Sequence, residues 1–128
     1  MNARRLILII DDDPVIVMTT RAVLDASGYE TAGALGYDEA LGFLNAREPD
    51  LVLCDMMMES IDTGVSLVRE IKARYPRVQV ILISSIADAV DNRYDFSKIG
   101  FDGFLKKPID PELLVGAVRE ALDRRGGA

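Results

Sequence analysis

Short apolar runs that end in polar residues alternate, five times over, with longer stretches whose apolar positions recur every three or four residues. Leu51-Val52-Leu53-Cys54 runs into Asp55 and is bounded upstream by Pro49-Asp50. It is too apolar for a solvent-facing strand and predicts a central strand covered on both faces. Arg4 to Ile10 predicts a first strand ending in Asp11-Asp12-Asp13-Pro14, and Val78 to Ser84 a further buried one. Tyr29 to Ala34 is shorter and more polar, as at a sheet edge, and Phe101 to Lys106 completes the set. Between them, Asp13 and Pro14 suit the N-cap and first position of a helix that stops at Gly28. A second helix is expected over roughly Tyr37 to Ala46, with Ala40, Leu41 and Leu44 inward. Met56 to Thr63 predicts an irregular loop. A third helix follows Gly64, buries Leu67, Val68, Ile71 and Tyr75, and ends at Pro76. Asp110-Pro111 opens the last helix, whose inward pairs are Leu113/Leu114, Ala117/Val118 and Ala121/Leu122. Arg124 and Arg125 close it favourably for the helix dipole, and residues 124–128 are expected as a tail or truncated linker. The pattern is weakest at 86–100, where Ile86, Val90 and Tyr94 share a helical face that Asp91-Asn92 and Asp95 interrupt. A short or late-starting helix is expected there.

Strand–helix alternation implies a parallel sheet with helices on both faces and right-handed crossovers. All five strands then deliver their C-terminal ends to one edge, where such sheets bind ligands. The residues at those ends are Asp11 and Asp12, Asp55, Ser84 and Ser85, and Lys106-Lys107-Pro108. Each alone reads as a solvated turn residue. Together they put acids, a hydroxyl and an ammonium at one edge from widely separated positions.

Composition narrows the chemistry. The 128 residues suit one domain, and the apolar share of 49% and charged share of 28% are those of a globular chain. A net charge of −6 argues against direct nucleic-acid binding. There is no histidine, so neither a histidine metal site nor a histidine base exists. Cys54, the only cysteine, lies within an apolar run and reads as a small buried hydrophobe. The absence of an internal disulfide suits the cytoplasm, and no signal peptide or membrane-spanning run is evident.

Four blocks in order carry a resemblance over nearly the whole chain: Ile7 to Pro14, Asp50 to Met58, Val80 to Ser85 and Gly103 to Pro108. The sequence resembles the receiver domain of two-component response regulators. The resemblance implies a single flavodoxin-like α/β domain over 1–128, with its core at about 4–123, five parallel strands in the order 2-1-3-4-5 and five helices. It implies Asp55 as the phosphoacceptor, and Asp11, Asp12, Asp55 and the backbone carbonyl of Met57 as ligands of Mg²⁺, with Mn²⁺ an alternative. Ser84 resembles the switch hydroxyl, Lys107 the phosphoryl-contacting lysine preceding a cis proline, and Phe104 the aromatic that changes rotamer on activation. Lys106 is expected to face solvent. The implied donor is a histidine kinase or histidine phosphotransfer protein. The implied recipient of the signal is a protein target or a C-terminal output domain. Three carboxylates on neighbouring strands cannot all stay ionised without a cation or a raised pKa, which suits a divalent ion.

The chain departs from the family in the loop beyond Asp55, where Glu59 stands in place of the usual proline and one extra residue is present. The Ser84 to Phe104 interval holds an extra residue as well. The altered loop keeps open a degenerate receiver that only binds partners. An aspartyl-phosphate phosphotransferase is a further alternative, disfavoured because Met57 stands where its second acid would be.

Overall fold

The structure is a computed structural model and describes residues 4–56, 61–84 and 101–127. Its strands are β1 (Leu6–Ile10), β2 (Glu30–Ala34), β3 (Leu51–Asp55), β4 (Gln79–Ser84) and β5 (Gly103–Lys106). Its helices are α1 (Pro14–Ala26), α2 (Tyr37–Ala46), α3 (Ile61–Arg74) and α4 (Pro111–Gly127). The strands form one parallel sheet in the order β2-β1-β3-β4-β5. The helix expected within 86–100 lies outside the described residues.

The period of two along each strand divides the core between the two faces. Leu8, Ile10, Val52, Cys54, Val80 and Leu82 pack with Ala40 and Leu44 of α2 and Leu67, Val68 and Ile71 of α3. Ile7, Ile9, Leu51, Leu53, Ile81 and Ile83 pack with Val17 and Leu24 of α1 and Leu114, Val118 and Ala121 of α4. Every residue of β1 and β3 is buried, which is why their runs lack polar alternation. β2 and β5, at the edges, are only partly covered.

Local signals set the ends of α1. Asp13 Oδ1 accepts from Val15 N–H at 2.9 Å, and Gly28 takes a φ of 97° that a side chain would resist. Asp110 repeats the cap for α4, accepting from Glu112 N–H at 2.8 Å.

Four details differ from the pattern-based expectation. α3 begins at Ile61, so Gly64 lies inside it and does not precede it. A Cβ at Gly64 would collide with the Met56 carbonyl, so this glycine permits close approach and does not break a helix. Gly64→Val is expected to lower stability by about 1–3 kcal/mol, read as a lower urea midpoint at unchanged slope. In α4, Leu113 is 65% exposed and does not join the inward stripe of Leu114, Val118, Ala121 and Leu122. That stripe repeats at four, three and one residues, and Leu113 falls about 125° off its centre. α4 also continues through Gly126 and Gly127, where a tail was expected. Finally, β5 starts at Gly103, two residues later than its apolar run suggests, because Asp102 engages β4 with its side chain.

Candidate functional site

β1 and β3 are hydrogen-bonded neighbours with Ile10 opposite Cys54, so Asp11 and Asp55 emerge side by side at the C-terminal edge. Asp11 N–H donates to the Ala34 carbonyl at 3.1 Å, and Met56 N–H to the Ile83 carbonyl at 2.9 Å. These two bonds extend the ladder one residue past the strands and hold both acids down in the crevice. Asp11 and Asp55 are buried, whereas Asp12 stands exposed at the rim. Oxygens of the three carboxylates lie within 4.8 Å of one another, the one such acidic group among the described residues.

The ammonium comes from the far side of the sheet. Lys107 follows β5, its N–H donates to the Ser84 carbonyl at 2.8 Å, and its peptide bond to Pro108 is cis. Its Nζ lies 3.4 Å from Asp11 Oδ2 and 3.5 Å from Asp55 Oδ1. Ser84 is buried at the end of β4. Lys106 points to solvent, as the alternation along β5 requires. Phe104 is 39% exposed, facing a groove shared with Leu113, Gly116 and Ala117 of α4. Met57 lies outside the described residues.

The electrostatics are those of an acid cluster with the Lys107 ammonium set against it. Burial pushes the Asp11 carboxyl above its ordinary 3.8, and the neighbouring Asp12 charge adds to the rise. The Asp13 N–H, 2.9 Å from Asp11 Oδ1, and the Lys107 ammonium pull it partly back. For Lys107, burial acts to lower the pKa, but Asp55 and Asp11 outweigh it and the ammonium is held above its ordinary 10.5. Asp11 Oδ2 is buried with no well-formed hydrogen bond among the described residues, the Lys107 ammonium standing off at 3.4 Å. An all-oxygen cluster with an orphaned, buried carboxylate oxygen fits a hard divalent cation.

The Cys54 thiol is buried at the same edge, with burial first and the charges of Asp55 and Asp11 next, raising its pKa to about 12. The native protein is therefore expected to resist alkylation at neutral pH and to take up one equivalent once unfolded.

The sequence pattern brought Asp11, Asp12, Asp55, Ser84 and Lys107 to this edge, and the structure places all five there. It did not anticipate that the Asp13 N–H braces Asp11, nor that Gly64 lets α3 approach the residue after Asp55. The Asp-Asp-Asp-Pro run could have signalled the first, since a capping residue turns its own amide back along the chain.

A doubly wound parallel sheet with three carboxylates and an ammonium gathered at its C-terminal edge defines a class of phosphoaccepting signalling modules. The response regulator receiver domain model matches residues 7–119, and the chain belongs to that family. Its role is regulatory, in two-component signalling, and not that of a classical enzyme. The transcriptional regulatory protein GlrR of Escherichia coli is 34% identical over 125 residues, covering 95% of this chain and 27% of GlrR. The transcriptional regulatory protein CseB of Streptomyces avermitilis is 34% identical over 122 residues, covering 95% of this chain and 51% of CseB. The chain thus spans between about a quarter and a half of the length of these relatives. A CheY-like receiver domain protein from Methanospirillum hungatei JF-1 superposes with a TM-score of 0.85 at 27% identity, covering 98% of both chains. Among the described residues, no helix is long and apolar enough to cross a membrane.

Proposed function

We propose that Asp55 accepts the phosphoryl group and that residues 1–128 form one receiver unit with its core at about 4–123. The observation that carries this reading is the Lys107 ammonium set between two buried carboxylates at the ends of β1 and β3, 3.4 and 3.5 Å away. A carboxylate oxygen of Asp55 attacks phosphorus, the donor's leaving group departs, and an acyl phosphate results. Such transfer asks the protein for placement and charge neutralisation more than for covalent chemistry. Lys107 contacts a phosphoryl oxygen. Asp11, Asp12, Asp55 and the Met57 carbonyl would hold Mg²⁺, or Mn²⁺ in its place, which when bound neutralises the remaining phosphoryl charge. Ser84 turns its hydroxyl to the phosphoryl group. Phe104 then rotates inward from its exposed position, changing the surface of β5 and of the helix expected within 86–100, a shift between two packings. The donor is a histidine kinase or histidine phosphotransfer protein, and the recipient a protein target or an output domain of a longer protein. The buried, unpaired cysteine thiol suits the reducing cytoplasm, where we place the chain.

The test is incubation with Mg²⁺ and acetyl phosphate, followed by intact mass. One phosphoryl group is expected on the wild type and none on Asp55→Asn or in the presence of a chelator. An unmodified wild type would reject the reading in favour of a receiver that only binds partners.

A further inference from the structure

We propose that Asp102, held by Lys72, is a positioning residue that locks the register of β5 and so makes Lys107, and not the adjacent Lys106, the ammonium of the carboxylate pocket. The inference rests on the assignment of Lys107 to that pocket's phosphoryl chemistry. β5 is a four-residue edge strand with β4 as its single partner, and its side chains alternate between partly covered and exposed. Two lysines stand in succession at its end. In any strand a slip of one residue exchanges the faces of every side chain. Such a slip would turn Lys106 into the pocket and Lys107 out of it, with Phe104 and Leu105 exchanged as well.

What opposes the slip sits at the other end of the strand. Asp102 N–H donates to the Val80 carbonyl at 2.6 Å, and Asp102 Oδ2 accepts from Val80 N–H at 2.8 Å. Residue 102 therefore exchanges two bonds with residue 80, one of them through its side chain. The Lys72 ammonium of α3 donates to the same Oδ2 at 3.0 Å and to the Val78 carbonyl at 2.9 Å, so one cation joins α3 to the residues that lead into β4 and β5. The Arg124 guanidinium of α4 donates to the Asp102 carbonyl at 2.9 Å. The flanking residues, Phe101 and Gly103, have no side-chain acceptor, so no neighbouring register can rebuild these bonds. The bond from Lys107 N–H to the Ser84 carbonyl closes the far end.

The experiment compares reductive methylation of Lys106 and Lys107 by peptide mass spectrometry, alongside Mg²⁺-dependent modification by acetyl phosphate. In the wild type, exposed Lys106 is expected to react about tenfold or more faster than the half-covered, ion-paired Lys107. In folded Asp102→Ala that contrast collapses towards unity, and acetyl phosphate modification falls about tenfold or more through misplacement of the ammonium. Asp102→Asn, which retains an acceptor for Val80 N–H, keeps both within about twofold. Lys72→Met, which leaves the bonds between residues 102 and 80 intact, gives an intermediate contrast and serves if Asp102→Ala does not fold. A role in stability alone would lower the melting temperature of Asp102→Ala and Lys72→Met while leaving the lysine contrast of the folded protein at the wild-type value, and that result overturns the proposal. A wild type that shows the contrast but takes no phosphoryl group would refute the proposed function and leave the register lock standing.

Discussion

Lys107→Met is expected to slow Mg²⁺-dependent modification of Asp55 by acetyl phosphate by about a hundredfold or more, a loss of the size seen when one pre-placed electrostatic donor is removed. The variant keeps the stem length of the side chain and removes only its charge. Asp11 Oδ2 and Asp55 Oδ1 then share a crevice without the ammonium that lies 3.4 and 3.5 Å from them in the wild type. The same pairing ties the group to stability. The folded-state pKa of Lys107 lies above its ordinary 10.5, because Asp55 and Asp11 outweigh the lowering effect of burial. A base raised in this way binds its proton more tightly in the folded state. Its contribution is fully present below the unfolded value and is lost as pH rises through the folded one. The difference in melting temperature between wild type and Lys107→Met is therefore constant near neutrality and shrinks above about pH 10.5. Equal modification rates for the two proteins would remove Lys107 from the site.

Asp11→Asn separates the cost of the acid cluster from its use. Without divalent ion, the variant is expected to melt about 2–4 °C higher than the wild type, and it loses Mg²⁺ affinity by about a hundredfold. The amide still accepts from Asp13 N–H, and Lys107 still has Asp55. What disappears is a buried negative charge beside two others. Burial raises the Asp11 pKa above 3.8, so the folded chain holds that proton after the unfolded chain has released it. The group therefore costs the wild type stability as pH climbs from 3.8 through the raised value, and the cost is constant above it. The variant's advantage should grow over that window and vanish when millimolar Mg²⁺ is added to both proteins. An advantage that persists in saturating Mg²⁺, or Mg²⁺ affinity equal to that of the wild type, would show that the cluster does not hold the ion.

Much of this site was legible in the sequence because its parts are local. The apolar run before Asp11 and the one before Asp55 each specify a buried strand with an acid at its end, whatever the rest of the chain does. Asp13-Pro14 and Asp110-Pro111 announce their helices through bonds made within two residues. Alternation of the elements then leaves one edge at which Ser84 and Lys107 must join the acids.

Other features depended on neighbours distant along the chain. Gly64 reads as the residue before a helix until the Met56 carbonyl is seen against it, and Leu113 reads as core until the stripe that α4 turns to the sheet leaves it outside. Asp102 falls within the expected strand Phe101 to Lys106 with nothing local to mark a special role, but Val80 and Lys72, 22 and 30 residues away, make it the anchor of β5. The order of residues along the chain determined which groups stand at the strand ends, because secondary structure follows local pattern. Only tertiary packing decided how deeply Asp11 is buried and which of two adjacent lysines meets it, because burial and register are set by contacts between elements.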